Sequence, residues 1–274
     1  MKKILVVLSL LFLVPGQLYA SVTPQKESAE LNNLDQQVQL LYRAGKYKEA
    51  AVNAQKALAI RERTLGPNHP EVAIALDNLA ELYKSARRYK DAEPLYKRAL
   101  EISEKVLGGE HPETATILNN MGTFYQATEK HDLAEPLLQR ALAIREKALG
   151  ADSPLSAIPL NNLAYLYMST GRLAESETYY LRALNIAETK LGRDHADTAT
   201  YLNGLGTLYY KMGRYTEAEP IVERALAIRE RIYGKNHVLV GKVAYNLYRL
   251  YKIQGKDDKA FKMYRRAKEI QHGK

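Results

Sequence analysis

The chain has 274 residues, with 40 Lys and Arg against 31 Asp and Glu, and it contains neither cysteine nor tryptophan. The missing cysteine excludes disulfides, thiolate metal sites and cysteine nucleophiles together. Packing alone must hold the fold, and a continuous core in a chain of about 250 residues is large enough to do so.

The chain opens with Lys2 and Lys3, an apolar run from Ile4 to Val14, a break at Pro15-Gly16, and Leu18-Tyr19-Ala20. The run is well short of the roughly 20 residues that cross a bilayer. Residues 1–20 therefore read as a cleaved secretory signal peptide, with the mature chain starting near Ser21 and an uncleaved anchor as the alternative. Residues 21–33 read as a lead-in to the first helix. No later run is long and apolar enough to be a transmembrane span. The product is expected to be exported, to the periplasm or beyond, in a bacterial envelope.

From residue 34 on, one pattern recurs without insertion or deletion. Leu34, Leu76, Leu118, Leu160 and Leu202 open matching segments 42 residues apart, and Ala244 opens a shorter sixth. The array at 34–274 thus divides into 34–75, 76–117, 118–159, 160–201, 202–243 and 244–274, copies of one supersecondary unit. In each, Leu76, Leu79, Ala80 and Tyr83 or their equivalents share one face of a first helix. Gly45, Gly171, Gly213 and Gly255 mark its end in four repeats. A second helix buries Ala92, Tyr96, Ala99 and Ile102, and it closes at Gly66, Gly108, Gly150, Gly192 and Gly234. Ala57, Ala99, Ala141, Ala183, Ala225 and Ala267 form an alanine column. Ala50, Ala92, Ala134, Ala218 and Ala260 form another, with Ser176 as the exception. Such small residues let helices approach closely, and a unit of this kind is stable only in a stack.

Ala80, Tyr83, Ala92 and Ala99, or Gly206, Tyr209, Ala218 and Ala225, give a small residue, Tyr three places on, and Ala nine and sixteen places after it. This spacing resembles the tetratricopeptide repeat. The 42-residue period, the LNNLA-x-LY opening at 160–167 and the LG-x-x-HPE loop are similar to the subfamily found in kinesin light chains. Repeat one departs, with Val38 and Leu41 at the small and Tyr positions. The resemblance implies an all-α, right-handed α-solenoid of six helix–turn–helix units. In such a fold the first helices line a concave groove and partners are proteins or peptides.

No catalytic pattern is present: there is no phosphate-binding glycine loop, HExxH or Gly-x-Ser-x-Gly. The chain does not read as an enzyme, and no cofactor or metal is expected. His69, His111, His195 and His237 recur once per repeat, too far apart to share one ion. They read as loop and helix-start residues.

Asparagine is the informative polar residue. Asn78, Asn120, Asn162 and Asn246 recur on the first helix, with Gly204 breaking the series, and Asn119, Asn161 and Asn203 precede them. At 100° per residue the first column points away from the face that packs the second helix. Asn is a mediocre helix former, yet its amide matches the backbone of an extended peptide. The family resemblance implies the same use. The competing readings are a ladder joining adjacent repeats and a by-product of duplication. Tyr165 and Arg249 stand beside the column, and Arg249 suggests an acidic element in the ligand. Residues 231–274 carry twelve Lys and Arg against three acids. Lys259, Lys262, Arg265 and Arg266 form a candidate basic patch for an acidic partner; nucleic acid is not expected. The alternative function is a structural assembly protein that uses its convex face and this basic end.

Overall fold

In the computed structural model, residues 24–272 are described; the expected signal peptide at 1–20 lies outside them. Twelve helices form six hairpins: α1 (Pro24–Arg43) with α2 (Tyr47–Leu65), α3 (Pro70–Ser85) with α4 (Tyr89–Val106), and α5 (Pro112–Ala127) with α6 (His131–Leu149). They continue as α7 (Pro154–Ser169) with α8 (Leu173–Lys190), α9 (Ala196–Lys211) with α10 (Tyr215–Tyr233), and α11 (Val238–Ile253) with α12 (Asp257–Gln271). The fold is an all-α repeat solenoid, and no strand occurs among the described residues.

Two boundaries differ from the sequence reading. The 42-residue frames keep the period but open inside the first helix of each hairpin, since Leu76 already lies well within α3. The lead-in assigned to 21–33 is helix from Pro24 onward. Leu31 explains it: this side chain packs with Leu34, Ala57 and Ile60. Apolar spacing at 31, 34, 38 and 41 carries the helical period one turn ahead of Leu34.

First helices begin by side-chain capping. His69, His111, His195 and His237 have extended backbones, and each Nδ1 accepts the N–H two residues on; Ser153 does the same with its hydroxyl. The histidine column is therefore a row of N-caps, and Ser153 can replace histidine because only one acceptor atom is needed. Pro70, Pro112 and Pro154 follow at the first helical position, where no N–H is missed.

The same helices end in a two-bond cap. Arg88 N–H reaches Tyr83 O at 2.8 Å and Arg87 N–H reaches Lys84 O at 3.0 Å. The residue between must be left-handed. Four repeats place glycine there, but Arg87 and Glu129 adopt φ 59° in repeats two and three. Such a conformation costs an L-residue about 1–2 kcal/mol. Arg87→Gly and Glu129→Gly are each expected to stabilise the fold by about 0.5–1 kcal/mol, after glycine's greater freedom when unfolded is deducted. Urea unfolding checks this, and a lowered midpoint contradicts it.

The core is continuous because small residues sit where helices cross. Both alanine columns are buried throughout, and Ser176 is tolerated because its hydroxyl donates to Ala164 O at 2.7 Å. First helices of neighbouring hairpins touch one another from α3 to α11, whereas second helices pack mainly against first helices. This inequality bends the array with its first helices on the inside.

Candidate binding face and the repeat-to-repeat clamps

Two sets of polar columns join neighbouring hairpins. In the first, Arg98, Arg140, Arg182, Arg224 and Arg266 pair with Glu62, Glu104, Glu146, Glu188 and Glu230 of the preceding second helix. Each guanidinium also donates to a loop carbonyl, those of Pro67, Gly109, Ala151, Arg193 and Lys235. An exposed pair contributes only about 0–1 kcal/mol. Five copies with the same double contact act mainly on register, because the planar fork fits one geometry.

The second set surrounds the tyrosine column. Tyr125, Tyr167 and Tyr209 donate to Glu93, Glu135 and Glu177 of the preceding hairpin, at 3.2, 3.0 and 2.9 Å. The basic residue that completes the helix cap joins the same carboxylate: Lys130 with Glu93, Arg172 with Glu135 and Arg214 with Glu177. The two guanidinium carbons also lie 4.0 Å from the centroids of Tyr167 and Tyr209. Burial first, with help from the neighbouring glutamates, raises these tyrosines above their ordinary ionisation range, so they remain neutral donors. The sequence reading missed both clamps. The signal of the second was available as a glutamate column (Glu93, Glu135, Glu177, Glu219) and a basic column (Arg88, Lys130, Arg172, Arg214, Lys256).

The asparagines lie on the inner row of first helices and bond mostly to one another. Asn162 donates to Asn119 Oδ1 at 2.8 Å, and Asn246 donates to Asn203 Oδ1 at 2.9 Å. Asn120 makes the same bond to Asp77, also at 2.8 Å. Within a helix, Asn119 donates to Asn120 and Asn161 to Asn162, both at 3.3 Å. The two columns thus build the ladder that competed with ligand binding in the sequence reading. Asn78 stands apart: it is exposed and its side-chain amide has no hydrogen-bond partner among the described residues. The acceptor a rung from Asn78 would meet in the first hairpin, Asp35 (the counterpart of Asp77), is instead held by Arg61 at 2.6 Å. Asn78 borders an open cleft of about 280 Å³ between the first two hairpins, with Asp35, Arg61 and Ile74 among its walls.

Gly204 breaks the ladder for a steric reason. A Cβ there would fall 2.5 Å from Tyr180 Cε1, so the ring fills the place of a side chain. Tyr96, the equivalent ring in repeat two, is held elsewhere by its bond to Glu81. Repeat four has Tyr165 at that position and offers no such acceptor.

Asp77 is the ladder's one buried carboxylate, 4 % exposed. Burial pushes its carboxyl up to about 7, against the pull of the Asn120 amide; Glu81 and Glu113 push the same way, and Lys84 opposes them. Its Oδ1 has no hydrogen-bond partner among the described residues.

Tyr165 projects from the inner row and is 52 % exposed. Arg249 is exposed, with its guanidinium carbon 4.4 Å from the centroid of Tyr210. The four residues of the basic patch do not form one free cluster. Arg266 belongs to the arginine clamp, Lys259 lies 3.6 Å from Glu219, and Arg265 pairs with Glu269. Lys262 has no ion-pair partner among the described residues.

Comparison with solved structures finds the same fold at low identity. BtubC (BKLC) from P. vanneervenii matches with a TM-score of 0.64 and 23% identity, over 90% of this chain and 91% of that one. A putative kinesin light chain from Podosopora anserina with nearly identical TPR-like repeats matches with a TM-score of 0.61 and 24% identity, over 74% and 95%. A Rap protein complexed with competence and sporulation factor matches with a TM-score of 0.60 and 18% identity, over 90% and 76%. A search of curated proteins gave no match. The family model described as tetratricopeptide repeat matches five overlapping stretches, 28–105, 85–147, 113–167, 155–231 and 203–271. With matched residues running from 28 to 271 and six stacked hairpins, the chain belongs to the tetratricopeptide repeat family.

Proposed function

We propose that the chain is an exported scaffold that holds an extended peptide or protein segment on the concave row of its first helices. Repeats of this family commonly serve as protein–protein interaction scaffolds. The observation that carries the reading is the contrast between the polar columns. The Glu, Arg and Tyr columns are engaged with one another between hairpins. The inner row keeps free capacity, because an amide has two donors and two acceptors and the ladder uses only some of them. The ladder also fixes the rotamers of Asn120, Asn162 and Asn246 in advance, so little order remains to be imposed on binding. Tyr165 supplies a broad anchor on one side and Arg249 a positive charge suited to an acidic ligand group. Each peptide–amide bond contributes about 0.5–1.5 kcal/mol net, so several along the row are needed. Export rests on the signal-like start, residues 1–20.

The test is a pull-down from envelope extract of the source cell with wild-type bait and with Asn78→Ala/Tyr165→Ala/Arg249→Ala. These three residues lie outside both clamps and outside the ladder, so circular dichroism is expected to be unchanged. A partner held by the wild type and depleted at least about tenfold on the variant, as loss of 1.4 kcal/mol or more requires, supports the groove. Equal retention by both baits moves the site elsewhere.

A further inference from the structure

Among the described residues, the two most exposed large apolar side chains lie at the two ends of the array, Leu40 at 66 % and Phe261 at 67 %. Neither is at an arbitrary position. Leu40 takes the place of Leu82, Phe124, Leu166, Leu208 and Leu250, which are all buried. Phe124 shows what these residues pack against: its ring lies 6.2 Å from Tyr89 and 5.4 Å from Tyr96, both on the preceding hairpin. Leu40 is thus half of an inter-repeat contact with no preceding hairpin to complete it among the described residues.

Phe261 is the other half. It stands where Glu93, Glu135, Glu177 and Glu219 stand, the carboxylates that meet the next hairpin's tyrosine or basic residue. The first hairpin lacks that tyrosine and has Leu41 instead, followed by Lys46 in the basic column. The tyrosine–carboxylate pair of the internal joints is therefore replaced on both faces at once, by Phe261 at one end and by Leu41 at the other, while Lys46 keeps the basic position. Tyr264, 39 % exposed, occupies the place of Tyr96 and Tyr180, which are fully buried. Tyr96 is one of the rings that seats Phe124, so the matching residue for Tyr264 is Leu40. The charges are opposite and so complementary. The N-terminal face places Glu30 in a column that is otherwise uncharged (Val72, Thr114, Ser156, Thr198, Val240). The C-terminal face places Lys268 in a column that is otherwise leucine (Leu58, Leu100, Leu142, Leu184, Leu226).

We propose that the C-terminal hairpin of one copy seats the N-terminal hairpin of a second copy, continuing the repeat stack across the junction. This reading does not depend on the groove proposal. Among the hairpins of this chain, only the first carries leucine at both positions, Leu40 and Leu41, and so offers the double match. The contact is heterologous, so it propagates into an open superhelical filament or closes into a ring.

Sedimentation velocity over a concentration series of the purified protein tests it, with Leu40→Asp and Phe261→Asp as variants. Both side chains are solvent-exposed, so the fold and its thermal midpoint should be preserved. The wild type is expected to form species larger than one chain as concentration rises, and each variant alone to remain a single chain. Mixing the variants is the decisive arm. Leu40→Asp keeps a sound C-terminal face and Phe261→Asp a sound N-terminal face, so the mixture should give two-chain species and nothing longer. A wild type that stays single at every concentration overturns the proposal, including the case in which residues before Pro24 cover Leu40. Association that survives both variants, or a mixture that stays single, also overturns it.

Discussion

Asp77→Asn is expected to yield a protein more stable than the wild type at pH 8, by about 1–3 kcal/mol, the usual penalty of a buried polar group left unpaired. The repeat itself supplies the reasoning, because Asn119, Asn161 and Asn203 occupy the same position in the next three units. An asparagine at 77 can accept from Asn120 as Asp77 does and donate to Asn78, as Asn119 donates to Asn120. The carboxyl is raised from 3.8 to about 7 by burial, a lift that corresponds to at most about 4 kcal/mol. A folded-state value above the unfolded one means that the folded chain holds its proton more tightly. Its contribution is fully present below the unfolded value near 4 and is lost as pH rises through 7. The wild type should therefore lose stability between pH 5 and pH 8 through this group, and the variant should lack that component. Urea unfolding of both proteins at the two pH values measures the difference. A variant less stable at pH 8 would mean that the ionised carboxylate has a stabilising partner in the fold.

The fold was readable because repetition turns weak local signals into aligned columns. One glycine or one small residue says little, but alanine at 57, 99, 141, 183, 225 and 267 requires a helix crossing in every unit. The helix starts were also accessible, since a histidine or serine before a first helix has a capping role that needs no tertiary knowledge. The start of α1 is less legible, because Leu31 departs from a column that is otherwise small, Ala73, Ala115, Ala157, Ala199 and Gly241, and lies ahead of the leucine that opens each matching segment.

The binding face was less accessible, and the asparagines show why. Periodicity places Asn120 and Asn162 on the inner row, but it does not give the separation between one first helix and the next. That separation brings Asn162 to 2.8 Å from Asn119, a residue 43 positions away. The Arg–Glu and Tyr–basic–Glu clamps were hidden for the same reason. Glu104 and Arg140 look like ordinary solvated charges within their own helices, and their pairing exists only across the stack. The basic patch lost Arg266 to the same clamp. Residues whose partners lie one repeat away are underestimated by any reading that treats each helix face by itself.

Gly204→Asn puts that lesson to a direct test, because it restores the column residue yet is expected to destabilise the protein by about 1–3 kcal/mol. The new Cβ would sit 2.5 Å from Tyr180 Cε1 and 2.9 Å from Cζ, and the ring has no empty site to move into, since Tyr180 is fully buried. The helix propensity of asparagine over glycine acts the other way but is only a few tenths of a kcal/mol. Tyr180→Leu alone removes buried volume and should also destabilise. Repeat three shows how the two changes fit together: Leu138 stands in the ring position, Asn162 stands in the next first helix, and its rung to Asn119 is intact. The double variant Tyr180→Leu/Gly204→Asn should therefore recover part of both losses, with the new amide bonded to Asn161 Oδ1. A double-mutant cycle by urea unfolding is expected to show a favourable coupling within the range of about 0.5–3 kcal/mol seen for residues in contact. Strict additivity would mean that the Tyr180 ring is not what excludes asparagine from position 204, and that the break in the ladder has another cause.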